Sequence, residues 1–186
     1  MTMFEKERFV DECRAALAES DAHGAINAIV KKAISEPGQV IGALGEPQWA
    51  GADTIYRSPD LTILNISWGP NMAIHPHNHL MWAVIGVYSG REDNKFYRRS
   101  EDGLTQHGTK TLDTKDTAPL GETIIHSVSN PLDKITAAIH VYGGDFFETP
   151  RSEWDSKTLE EHPYDVEHTM RLFEESNERL RELARK

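Results

Sequence analysis

Apolar positions change their spacing twice along the chain. Residues 4 to 34 read as helical: Phe9, Cys13, Ala16 and Leu17 fall at i, i+4, i+7 and i+8. A second short helix is expected around Gly24 to Ile34, carrying Ile26, Ile29, Val30 and Ala33, with Glu36-Pro37-Gly38 as its stop. From Thr54 the texture becomes short β runs: Leu61–Trp68, His79–Tyr88, Lys95–Arg99, Gln106–Thr111, Ile124–Ser129 and Ile135–Tyr142. Turn signals separate them at Ser58-Pro59-Asp60, Ser89-Gly90, Ser100-Glu101-Asp102-Gly103 and Asn130-Pro131. Short strands at near-regular spacing predict a sandwich or barrel. From Val166 to Leu183 the helical period returns, with Val166, Met170, Phe173, Leu180 and Leu183 in one stripe and Glu175 and Arg179 spaced for an ion pair. Such a stripe is expected to pack on its own domain. The whole reads as one domain, with a helical part over 1–50, a β part over 54–150 and a C-terminal helix over 164–186.

Composition narrows the function classes. A chain of 186 residues can bury a sizeable single core. Lys plus Arg number 20 and Asp plus Glu 30, a formal net charge of −10, which disfavours nucleic acid and anionic lipid as partners. No apolar run is long enough to span a membrane, and the N-terminus lacks a signal peptide's apolar centre. Cys13 is the only cysteine, so neither an intrachain disulfide nor a thiolate metal site is available, and a cytoplasmic protein is expected.

The chemistry concentrates between Gly69 and Gly90. His75, His77 and His79 alternate there, just before a β-prone run. Alternate strand residues share a face, so two imidazoles at i, i+2 can bind one metal ion. The segment resembles the first cupin motif: a glycine, His-x-His, usually a Glu, then a turn glycine. Two registers compete. Counting five residues from Gly69 selects His75 and His77. Counting back from the turn glycine selects His79, because Gly90 lies 11 residues after His79 and 13 after His77. The turn count crosses an expected continuous strand and the other a loop, and Pro76 disturbs pairing, so His77 and His79 are preferred. His75 is then a neighbour or a solvent-facing residue. The usual Glu position falls on Ala83 or Val84, which offer no ligand. A third ligand is expected from His126, where the second cupin motif supplies its histidine, or from His140. His140 sits among apolar residues and can equally be structural. His23, His107, His162 and His168 read as surface residues. Three imidazoles leave about half an octahedral shell open, and iron, zinc, copper and nickel all accept imidazole.

From Tyr56 to Arg151 the sequence is similar to the thiol dioxygenase branch of the cupins, the cysteine and 3-mercaptopropionate dioxygenases. The resemblance rests on Trp68-Gly69-Pro70, on His77-Asn78-His79 with Trp82, Gly86 and Gly90 behind it, on His126-Ser-Val-Ser-Asn130 and on Ile139-His140-Val141-Tyr142-Gly143. It implies an all-β cupin jelly-roll barrel with helical N- and C-terminal additions. It further implies one Fe(II) per chain on His77, His79 and His126, with a small thiol and O2 as substrates. His140 and Tyr142 match an outer pair that positions substrate or oxygen. Arg151 matches the arginine that pairs with a substrate carboxylate, and Arg57 lies near the place where the cysteine enzymes keep theirs. Three departures stand out: Ala138 occupies the place of a relay serine, no cysteine is placed to cross-link the tyrosine, and the C-terminal helix belongs to no matched motif. They disfavour a strict cysteine dioxygenase. The rival expectations are another metal-dependent cupin enzyme, acting on a carbon bond or as an isomerase, and a non-catalytic binding cupin.

Overall fold

The computed structural model describes residues 3–101 and 103–185. Asp102, in one expected turn, and the side chain of Leu183, in the expected stripe, lie outside the described residues. Three helices lead: α1 (Lys6–Ala16), α2 (Ala22–Ile34) and α3 (Pro37–Leu44). Strands follow: β1 (Gly51–Arg57), β2 (Thr62–Trp68), β3 (Ala73–Asn78), β4 (Ala83–Ser89), β5 (Arg91–Ser100), β6 (Gly103–Asp113), β7 (Thr117–Leu120), β8 (Ile125–Ser129), β9 (Thr136–Tyr142), β10 (Ser152–Trp154) and β11 (Glu161–Pro163). Helix α4 (Val166–Leu183) closes the chain. No helix among the described residues is long and apolar enough to cross a membrane.

The strands form two antiparallel sheets, ordered β1-β2-β9-β4-β7 and β11-β10-β3-β8-β5-β6. They pack on one another through a shared core. Leu64, Ile66 and Trp68 of β2, Ala83, Ile85 and Val87 of β4 and Ala138 of β9 meet Ile74 of β3, Leu112 of β6 and Val128 of β8. The alternate residues of the same strands, among them Ile63, Val84, Tyr88, Ile139 and Val141, face outward and are covered by Phe9, Cys13, Ile26, Val30, Ile34 and Val40 of the leading helices. The central strands β2, β4 and β9 are therefore buried on both faces along nearly their whole length. Cys13 lies in this layer, and burial, aided by the charge of Glu12, pushes its thiol up to about 12, so it stays protonated.

The expected single barrel is thus two sheets packed face to face. Several element boundaries also differ from expectation. Glu36-Pro37-Gly38 does not only stop α2; Pro37 starts α3, because its ring fixes a helical φ and its missing N–H is no loss in a first turn. β1, β3, β7, β10 and β11 are additional strands. The run from His79 to Tyr88 is not one strand: Leu80 takes φ +53°, the chain bends, and β4 begins only at Ala83. His77 therefore lies on β3 and His79 in the bend just after it, rather than both heading β4. At the far end of β4, Gly90 has φ +81° and an added Cβ would lie 2.3 Å from Thr136 Oγ1, so this turn requires glycine.

Helix α4 starts where Asp165 accepts the backbone N–H of His168 at 3.0 Å. Its Phe173 is buried and stacks on Trp68 with ring centroids 5.6 Å apart, while Asn177 bonds both backbone groups of Ala50. Gly69 permits this docking, because a Cβ there would lie 1.9 Å from Ser176 Oγ. The ion pair on this helix joins Arg181 to Glu174, in place of the expected Glu175–Arg179 pair.

A candidate metal centre with a buried arginine

Three histidines converge between the sheets. His77 on β3 stands directly opposite His126 on β8, and His79 reaches the same point from the bend after β3. A bulge in β3 at His75-Pro76 accommodates the proline. His79 Nε2 lies 3.2 Å from His77 Nε2 and 3.4 Å from His126 Nε2. Two imidazoles bound to one ion at about 2.1 Å would have nitrogens about 3.0 Å apart at a right angle and about 3.4 Å apart at the tetrahedral angle. The observed separations fit a shared ion. All three rings are buried.

The remaining ring nitrogens explain how this crowding is tolerated. His77 Nδ1 donates to the His75 carbonyl at 3.0 Å, and His126 Nδ1 to Asn94 Oδ1 at 2.7 Å. Each bond leaves Nε2 as a lone pair facing the cluster. Burial lowers all three pKa values, and neighbouring imidazoles add to the effect. His77 and His79 fall well below the usual histidine value and His126 falls to about 3. Neutral imidazoles are the form that binds metals.

His140 and Tyr142 project inward from β9, with His140 Nδ1 3.1 Å from the Tyr142 hydroxyl. The Tyr142 ring lies 5.0 Å from that of His79. Burial raises its pKa, with the positive charge of Arg151 opposing, so the phenol keeps its proton. His140 stands apart from the convergence of His77, His79 and His126 and turns its Nε2 toward Glu92, 3.5 Å away.

Arg151 is 8% exposed and lies between the rings of Phe146 and Tyr164, at 4.1 and 4.0 Å from their centroids. Its Nη1 donates to the Phe146 carbonyl. Its Nε and Nη2 are buried with no hydrogen-bond partner. Phe146 and Tyr164 wall a cavity of about 100 Å³ that also reaches His77, His79, His126, His140 and Tyr142. The rest of the wall is mainly apolar, and Val166, Thr169, Met170 and Phe173 of α4 contribute to it.

Arg57 is not brought into this chamber. It holds Asp145 through two nitrogens, at 3.0 and 2.9 Å, and Glu148 at 3.0 Å, at a half-exposed position. His75 is not solvent-facing: it is buried, 2.9 Å from Glu153 Oε2, and stacks on His168 with ring centroids 4.7 Å apart and planes within 5°. Glu153 Oε1 accepts from His168 Nδ1 at 3.2 Å. Stacked parallel rings direct their lone pairs into separate planes, so these residues fit a hydrogen-bonded clamp between β3, β10 and α4. His23, expected at the surface, is half-buried, bonds the Ala83 carbonyl at 3.1 Å and stacks on Trp82. His107 and His162 are exposed, as expected.

Sequence reasoning missed Glu92, Asn94, Phe146 and Tyr164. Glu92 and Asn94 sit in Arg91-Glu-Asp-Asn-Lys95, which reads as a solvated edge. In β5 they alternate inward while Arg91 and Asp93 pair outside at 2.9 Å. The period-two pattern counted from Gly90 was the available signal.

No family model matches the chain. Solved structures with similar regions include a cupin superfamily protein from Desulfitobacterium hafniense DCB-2, at 10% identity over 54% of this chain and 83% of that one, with a TM-score of 0.44. A cupin 2 conserved barrel domain protein from Salinispora arenicola CNS-205 aligns at 15% identity over 50% of this chain and 74% of that one, with a TM-score of 0.41. Oxalate decarboxylase from Bacillus subtilis aligns at 15% identity over 50% of this chain but only 22% of its own length, with a TM-score of 0.39.

Proposed function

We propose that the chain is a thiol dioxygenase acting on a small thiol that carries a carboxylate. The observation that supports this reading is the buried, unpartnered Nε–Nη2 edge of Arg151, held between Phe146 and Tyr164, two rings that also wall the cavity reached by the three converging histidines. That edge offers two parallel N–H donors, the geometry a carboxylate accepts. A buried guanidinium with two idle donors is costly unless a ligand satisfies them. The apolar walls contribute no acidic side chain to attract an ammonium, so the site favours an acid over an amine.

His77, His79 and His126 would hold ferrous iron, which when bound would supply the chemistry that adds both atoms of O2 to a thiol sulfur, giving a sulfinate with no external reductant consumed. The protein's own groups supply the rest. Arg151 fixes the carboxylate end, Phe146 and Phe173 exclude water, and Tyr142 holds a hydroxyl proton beside His79.

The test is metal content followed by O2 uptake with 3-mercaptopropionate, cysteine and cysteamine. The acid without an amine should be the best substrate, with one sulfinate formed per O2. Arg151→Ala should raise KM for 3-mercaptopropionate by roughly 10–150-fold, the loss of a charge-assisted pair, and leave cysteamine nearly unchanged. Absence of O2 uptake with every thiol by the iron-loaded protein, or cysteamine as the best substrate, overturns the proposal.

A further inference from the structure

Glu92 is fully buried, has no role in the reading above, and lies where two networks meet. Its Oε1 accepts from Asn94 Nδ2 at 2.9 Å and its Oε2 accepts from Trp68 Nε1 at 2.9 Å. Asn94 in turn accepts from His126 Nδ1. His140 Nε2 is buried without a hydrogen-bond partner, and Glu92 Oε2 stands 3.5 Å from it. On its other side, His140 meets the Tyr142 hydroxyl.

We infer that Glu92 is a positioning residue that sets the tautomers of two histidines, His126 through Asn94 and His140 directly. The inference rests on the metal-centre reading for its functional meaning, but the tautomers themselves do not.

The argument follows from donor and acceptor types. An ionised carboxylate accepts at both oxygens and donates at neither. Here both oxygens face N–H donors, so Asn94 must turn its NH2 to Glu92 and its carbonyl to His126. His126 must then carry its proton on Nδ1, which leaves Nε2 free for an ion. The same carboxylate draws the His140 proton to Nε2, leaving Nδ1 to accept the Tyr142 O–H. Ala138, two residues before His140 on β9, has no polar group and cannot provide such an anchor. Glu92 fills that role from another strand.

Glutamine is isosteric but has only one acceptor oxygen. In Glu92→Gln, an NH2 must face either Asn94 or the Trp68 and His140 pair. Facing Asn94, it flips that amide, presents a donor to His126 Nδ1 and moves the ring proton to Nε2. Facing His140, it donates to Nε2 and moves that ring's proton to Nδ1.

Nitrogen-15 NMR of histidine-labelled metal-free protein reads both tautomers directly. Wild type should show Nδ1–H at His126 and Nε2–H at His140, and Glu92→Gln should change at least one. Cobalt(II) binding, measured against a competing chelator, should weaken about 10-fold or more if His126 is the ring that changes. Adding Trp68→Phe removes one donor, lets the glutamine oxygen face Asn94 and its NH2 face His140, and should give the wild-type His126 signal and cobalt affinity together with an altered His140 signal. Should Glu92→Gln fail to fold, Asn94→Ala tests the same chain: the His126 signal should change and the His140 signal should not. Unchanged signals at both histidines in Glu92→Gln, or at His126 in Asn94→Ala, overturn the inference. If wild type binds no cobalt yet the tautomers respond as stated, the metal reading fails and the role of Glu92 stands.

Discussion

In the metal-free protein, lowering the pH should cause unfolding over an unusually early range. His77, His79 and His126 are held neutral by burial, with His126 depressed from 6.5 to about 3. At pH above 6.5 these rings are neutral in both folded and unfolded chains, and stability is at its plateau. As the pH falls below 6.5 the unfolded chain takes up protons that the folded chain refuses, so stability drops until the folded values are reached. Each such proton costs ~1.4 kcal/mol per pH unit. Three histidines give ~4 kcal/mol per unit, and His75, lowered by burial against the pull of Glu153, adds part of a fourth. A domain stable by ~5–15 kcal/mol is then lost one to four units below 6.5. The carboxylates with lowered values, such as Asp145 and Asp165, lose their contribution only below their unfolded values near 4. The range from 6.5 to 5 therefore isolates the histidines. Urea titrations of chelator-treated protein at several pH values in that range should show unfolding free energy falling with a slope that steepens from about half that number of protons at 6.5 toward three to four protons near pH 5. A slope of one proton or less would refute the neutral-cluster argument.

Other outcomes follow from the proposed function. His79→Ala should strip iron from the purified protein, whereas His75→Ala should retain it; iron analysis showing the reverse would place the ligands one step earlier on β3. Tyr142→Phe should keep iron and slow turnover by the ~10²–10⁴-fold typical of a positioned proton donor, and an unchanged rate would leave Tyr142 a packing residue. Arg57→Ala should change neither KM nor kcat, since its partners are carboxylates of the protein, and should shift the melting temperature only slightly, because the pair is screened by solvent. Phe173→Ala should cost ~3–5 kcal/mol and open the chamber to bulkier thiols; a thiol-size series that does not shift would separate α4 from substrate selection.

The sequence made legible those parts of the protein that repeat a short period. Helix α4 appears at its predicted residues, and β2, β8 and β9 lie within a residue of theirs at both ends. Two of the converging histidines, His77 and His79, are those preferred by the turn count, although Leu80 breaks the strand that count assumed, and the third, His126, is the one expected from the second motif. What remained hidden depends on pairing between distant segments. Glu92 and Asn94 look solvated until β8 is placed beside β5. β10 and β11 are three residues each, too short to show a period, and exist because β10 pairs with β3 at His77. Arg57 looked available because the carboxylates that hold it, Asp145 and Glu148, lie far along the chain.

The place of β9 between β2 and β4 has a consequence for how the molecule is made. Residues 62–68 must wait for residues 136–142 before the five-stranded sheet can close. Helices α1 and α2 are synthesised first, yet half of the surface they dock on is built from β4 and β9. Non-local pairing of this kind places folding toward the slow end of the millisecond-to-second range. Until it is complete, the apolar faces of both helices stay exposed, and His126 has no fixed relation to His77 and His79. A metal ion that bound these histidines would therefore do so after assembly of the two sheets instead of nucleating it. A newly made chain is most prone to aggregation in the interval before β9 arrives.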